Sequence, residues 1–132
     1  MASLPSPSVP VSWGELLDKI TILEIKRERI ARADARANVV REYAALSGIG
    51  AGVIGRAPIA ALFGELKSIN QELWEIEDAI RQEEAADSFG SDFIRLARSV
   101  YRKNDERARL KRAINLALES ELIEEKSYAA VR

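Results

Sequence analysis

Residues 59–80 read IAALFGELKSINQELWEIEDAI, and their spacing decides the fold class. Leu62, Leu66, Ile69, Leu73, Ile76 and Ile80 recur at alternating intervals of four and three. That repeat puts all six side chains on one face of a long α-helix and turns the face toward a neighbouring helix. Pro58 just before it suits a first helical turn, where a missing N–H leaves no bond unmade. The helix is expected to reach about Glu84.

The same rhythm continues on both sides. Asp87-Ser88-Phe89-Gly90 has the composition of a turn, and a further helix starts near Ser91, its seam running through Phe93, Ala97, Val100, Asn104, Arg107, Lys111, Ile114 and Leu118. Upstream, Ser12-Trp13-Gly14-Glu15 matches a capping box, in which the Ser12 hydroxyl and Glu15 carboxylate satisfy backbone N–H groups at a helix start. Leu16, Ile20, Leu23 and Ile30 follow as an apolar stripe that Arg27 interrupts, in a helix that either runs to Ala45 or kinks near Asp34 to Asn38. Gly48, Gly50, Gly52 and Gly55 mark residues 47–58 as a glycine-rich connecting loop. A short helix is expected after Ser120, with Leu122, Ile123 and Tyr128 as its apolar contacts. Residues 1–11, with Pro5, Pro7 and Pro10, read as a disordered tail. The expected fold is therefore all-α: one domain over residues 12–132, an antiparallel bundle of three long helices plus a short C-terminal helix.

Composition narrows the chemistry. In 132 residues, 47% are apolar and 31% charged, which is enough to bury a real core. A net charge of −1 gives the molecule no positive field for nucleic acid or anionic lipid. The absence of cysteine removes disulfides and thiol chemistry, and the absence of histidine removes the commonest general base and metal ligand. No apolar run approaches the roughly 20 residues of a membrane span, and MASLPSPSVPVS lacks the pattern of a signal peptide. The expectation is a cytoplasmic protein with no nucleic-acid partner, no membrane insertion, no cofactor and no protein-bound metal.

Charge is sorted between the two best-defined helices. Glu65, Glu72, Glu75, Glu77, Asp78, Glu83, Glu84 and Asp87 make the first acidic; Arg98, Arg102, Lys103, Arg107, Arg109, Lys111 and Arg112 make the second basic. A short turn makes them antiparallel neighbours. Hairpin register then sets Glu77 and Asp78 near Arg98 and Tyr101, Trp74 near Asn104, and Asn70 near Arg107, while Lys111 meets no carboxylate on the acidic helix. Across the glycine loop, the same arithmetic sets Arg81 near Glu24 and Asp78 near Arg27. Asn70, Trp74, Glu77, Asp78, Arg81, Arg98, Tyr101, Asn104, Arg107 and Lys111 are the candidate ligand-binding residues.

Four ordered segments carry a family resemblance: VSWGELLDKITILEIKRERI (11–30), NQELWEIEDAIR (70–81), FIRLARSVYRKNDERARLKRAIN (93–115) and SELIEEKSY (120–128). They resemble a family of short bacterial helical proteins catalogued as a domain of unknown function. The resemblance implies a bacterial protein encoded near cell-surface polysaccharide and glycosyltransferase genes; it implies no reaction.

Three kinds of function fit these residues. In the first, the polar cluster is an interhelical network of ion pairs in an accessory or scaffold protein, with a second copy packed as a homodimer or a protein partner in polysaccharide synthesis. In the second, Arg107 and Lys111 clamp an anionic small molecule such as a sugar phosphate or nucleotide sugar, with Trp74 as a wall. In the third, the chain is a helical enzyme. Glu15-x-x-Asp18 and Glu72-x-x-Glu75 are similar to the Mg²⁺-holding motifs of helical nucleotide pyrophosphatases, though in the reverse order. The Arg/Lys cluster suits a cofactor-free, mutase-like electrostatic catalysis. With no evident nucleophile, the sequence leans away from an enzyme.

Overall fold

The computed structural model describes residues 3–128 and contains four α-helices: α1 (Trp13–Arg29), α2 (Ala33–Ile54), α3 (Ala57–Ala85) and α4 (Ser91–Ala117). Ser12 opens α1 by accepting a hydrogen bond from the Glu15 N–H at 3.0 Å. Only this half of the capping box forms, because the Glu15 carboxylate turns away to Lys111. At its other end, Lys26, Arg27 and Arg29 complement the helix dipole before Ile30 goes extended.

Neither alternative for the first helix holds, a run to Ala45 or a kink near 34–38: a break at Ile30–Arg32 divides the segment into two helices. The chain reverses there, and α2 returns along α1. Tyr43 reaches Glu24 at 3.5 Å and takes the Arg27 guanidinium over its ring at 4.3 Å. The glycine-rich loop is corrected too. α2 continues through Gly48, Gly50 and Gly52 to Ile54, so the connector to α3 is only Gly55-Arg56. Each helical glycine costs about 1 kcal/mol relative to alanine. Contacts of Leu46, Val53 and Ile54 with the core offset that cost. Gly50 is also closely packed: a Cβ there would lie 2.6 Å from the Ile20 Cδ1, so that side chain would have to shift.

α3 and α4 form an antiparallel pair, α1 packs against both, and α2 covers α1. The central helix accordingly has little outer face: Leu16, Leu17, Ile20, Leu23 and Ile25 are buried, and Val53, Ile59, Leu66, Leu110 and Ile114 complete the core. No helix among the described residues is long and apolar enough to cross a membrane.

The short C-terminal helix does not form among the described residues. α4 ends with Glu119 in the left-handed region (φ 51°), and residues 120–128 carry no regular structure. They form a strap along α4. Arg112 pairs with Glu125 at 3.1 Å, Lys126 with Asp105 at 3.9 Å, and Ser12 donates to Glu124 at 2.6 Å. Leu122, Ile123 and Tyr128 are exposed, so the apolar contacts expected to hold a helix there are not buried.

Two glycines predict opposite responses to alanine. A Cβ at Gly14 would meet the Lys111 carbonyl oxygen at 2.5 Å, a backbone atom that cannot swing aside, whereas one at helical Gly52 meets nothing within 4 Å. In urea unfolding, Gly14→Ala should cost about 1 to 3 kcal/mol, and Gly52→Ala should gain roughly 0.5 to 1 kcal/mol. Equal effects at both positions would contradict the α1–α4 contact.

Candidate functional site

The polar cluster is organised by a residue on α1. Asp18 is 1% exposed, and its carboxylate accepts from Arg107 Nε at 3.0 Å and, through the other oxygen, from Arg107 Nη2. Asn70 Nδ2 donates to the same carboxylate and to Thr21 Oγ1, both at 2.8 Å, while the Thr21 hydroxyl donates to the Asp18 carbonyl at 2.7 Å. One carboxylate thus ties α1 to α3 and to α4. Helical spacing makes this feasible: Glu15, Asp18 and Thr21 succeed one another at three-residue steps along α1, and Arg107 and Lys111 stand four apart on α4.

Lys111 donates to Glu15 and lies 4.0 Å from both Asp18 and Glu124. It has no acidic partner on α3, as the register implied, but finds one on α1. Further along, Gly14 N–H donates to Asn115 Oδ1 at 2.6 Å, and Asn115 Nδ2 donates to Glu124 at 3.0 Å. Burial favours a raised value for the Glu124 carboxyl. Hydrogen bonds from Ser12 and Asn115, with the Lys111 charge, outweigh it and hold the group below its ordinary value. Arg107 shifts upward: the Asp18 hydrogen bonds stabilise its charge against the effect of burial.

The ten residues named from sequence divide among several environments. Asn70 and Arg107 are at the centre. Asn70, Trp74, Glu77, Asp78 and Arg107 line one cleft of about 300 Å³, with Ile22, Ile25 and Leu73. Asn104, Arg107 and Lys111 line a second cleft of about 160 Å³ between α4 and the strap, with Ala108, Arg112, Glu124 and Lys126. Arg81 is exposed and pairs with Glu77 within its own helix at 3.7 Å. Arg98 and Tyr101 are exposed and line neither cleft. The longer-range pairings expected across the glycine loop do not form: Lys67, not Arg81, pairs with Glu24, and Arg27 stacks on Tyr43.

Asp18 and Glu124 were not among those candidates, and nor were Thr21, Asn115 or Ser12. A signal for Asp18 existed. Leu16, Leu17, Ile20, Ile22, Leu23 and Ile25 surround it on the helix, leaving no clear solvent face for a carboxylate. The carboxylates that suggested Mg²⁺ are engaged by cations. Besides Glu15 and Asp18, Glu72 pairs with Lys103 at 2.8 Å and Glu75 with Arg29. Among the described residues no group of three or more acidic side chains is gathered to hold a metal ion.

A family model matches residues 8–131, and the chain belongs to that family, the family of unknown function DUF6165. No curated protein and no solved structure matches it.

The Glu124 shift predicts how the strap responds to acid. Its folded pKa lies below the ordinary 4.5, so the folded state binds fewer protons. Its contribution is therefore present above the ordinary value and lost as pH falls through the depressed one. Unfolding midpoints of wild type and Glu124→Gln, compared between about pH 3 and about pH 6, should converge at the acid end and separate in favour of wild type above it. A constant separation would contradict this assignment.

Proposed function

We propose that this DUF6165 protein is a binding protein for a small anion, which it takes up between α4 and the C-terminal strap. The observation that carries this reading is the lining of the smaller cleft: Arg107, Lys111, Arg112 and Lys126 against the single carboxylate Glu124. Arg107 and Lys111 are held in place from behind by Asp18 and Glu15. Arg112 and Lys126 reach from the flank, where their pairs with Glu125 and Asp105 are exposed and worth about 1 kcal/mol or less. An incoming phosphate or carboxylate can take over those two cations at little cost, and Asn104 supplies an amide to orient it. A sugar phosphate or nucleotide sugar suits this chemistry and the polysaccharide setting that the sequence resemblance implies.

The test is thermal unfolding with inorganic phosphate, glucose 1-phosphate, a nucleotide sugar or a dicarboxylate. A ligand at about one hundred times its Kd adds roughly 2.7 kcal/mol to stability. At least one phosphate-bearing probe should raise the wild-type midpoint, and the Arg112→Ala/Lys126→Ala double variant should keep its own midpoint yet lose that response. No response to any probe in the wild type would refute the reading.

A scaffold role through a homodimer is the second reading, favoured by the exposed Phe89, Ile94 and Tyr101 on the α3–α4 hairpin. Sedimentation equilibrium should then show a dimer that Ile94→Glu dissociates; a monomeric wild type would dismiss it.

A further inference from the structure

The larger cleft, at the C-terminal end of α1, differs in kind from the anion cleft beside the strap. Ile22, Ile25 and Leu73 give it an apolar floor and Trp74 an aromatic wall. Apart from Arg107 and the Trp74 indole N–H, the polar groups it has to offer are acceptors. Asn70 is 5% exposed, and both its donor bonds are spent on Asp18 and Thr21. Its amide orientation is fixed, since a carboxylate can only accept. Asn70 Oδ1 accepts no hydrogen bond among the described residues and is not sealed off as an unsatisfied buried atom, and Asn70 lines the cleft, so this acceptor is open to a donor there. Asp78 makes no ion pair or side-chain hydrogen bond among the described residues, and Glu77 has only the distant, exposed Arg81. Arg107 also borders the cleft, but its charge is matched by Asp18.

We propose that this cleft binds a small organic cation, an alkyl- or arylammonium or a guanidinium. Its N–H groups donate to Asn70 Oδ1 and the Asp78 and Glu77 carboxylates, while its apolar body lies against Trp74 and Leu73. The lining other than Arg107 matches that chemistry. The acceptors of Asn70, Glu77 and Asp78 need a donor, the Asp78 carboxylate needs a cation, and the indole face attracts ammonium and guanidinium groups. A phosphate or carboxylate would meet the Asp78 carboxylate, which has no cation partner among the described residues, with Glu77 beside it. The site is independent of the anion cleft, and the two share only Arg107.

The probes are benzylamine and agmatine, with benzyl alcohol as the neutral counterpart and benzoate as the anion. The chain has two tryptophans, so the Trp74 indole N–H is identified in a ¹H–¹⁵N spectrum by its loss in Trp74→Phe, and Trp13 serves as internal control. Both amines should shift the Trp74 signal saturably at millimolar concentration, with benzyl alcohol weaker and benzoate inert. Asp78→Asn and Glu77→Gln, both at exposed positions, should each weaken benzylamine roughly threefold. Arg112→Ala/Lys126→Ala, which empties the anion cleft of its flanking cations, should leave amine binding unchanged. Absence of any amine shift, equal shifts from benzyl alcohol or benzoate, or full affinity in the Asp78→Asn/Glu77→Gln variant would each overturn the proposal.

Discussion

The architecture depends on one buried carboxylate. Taking Asp18 out of water costs several kcal/mol, which an attraction to a single cation does not by itself recover. Here the desolvated group is matched on every side: two charge-assisted bonds from Arg107, one from Asn70, and the Lys111 charge beyond. Apolar packing alone would let α1 rotate or slide in the groove between α3 and α4, since Leu and Ile seams tolerate alternative registers. Asp18 does not, because any shift by a helical turn strands a charge in the core. The interaction acts on specificity of packing at least as much as on stability.

The same interaction explains why polar side chains from one region of the bundle serve two unlike clefts. Asp18 and Glu15 draw Arg107 and Lys111 toward α1, so those cations are fixed before any ligand arrives. On the strap side, Arg112 and Lys126 add to them, and the sum is positive. On the α3 side, Asp18 cancels Arg107, Asn70 spends its donors inward, and the acceptors of Asn70, Glu77 and Asp78 are what the cleft presents. The sorting of charge between α3 and α4 was visible in the sequence. Its consequence, two clefts of opposite character, required the third helix.

What could be read from sequence was local. Leu62 to Ile80 keep their rhythm over about five turns, and nothing distant can change which face they share. Asn70, Arg107 and Lys111 were recognisable as polar residues in or beside apolar seams. The break after Arg29 carried no such mark, as Ile30-Ala31-Arg32 contains neither glycine nor proline; it follows from α2 turning back to cover α1. The glycines of α2 misled for the converse reason. Glycine usually signals a loop, but Gly50 lies in a helix packed closely on Ile20, a contact between residues thirty positions apart. The strap replaced the expected C-terminal helix because Glu124, Glu125 and Lys126 are each drawn to a different charged or polar partner on the bundle. Hairpin arithmetic sought partners for the basic residues of α4 on α3 alone, so Asp18 stayed hidden until α1 was placed.

The most direct test of this account is a double-mutant cycle on Asp18→Ala and Arg107→Ala, read by urea unfolding. Each single variant leaves a charge without its partner and should cost about 3 to 5 kcal/mol. The double variant should be less destabilised than the sum of the singles, with a coupling of roughly 2 to 3 kcal/mol. Losses below about 1 kcal/mol in both singles, as for a solvent-exposed pair, or strictly additive losses, would contradict the claim that this carboxylate fixes the bundle.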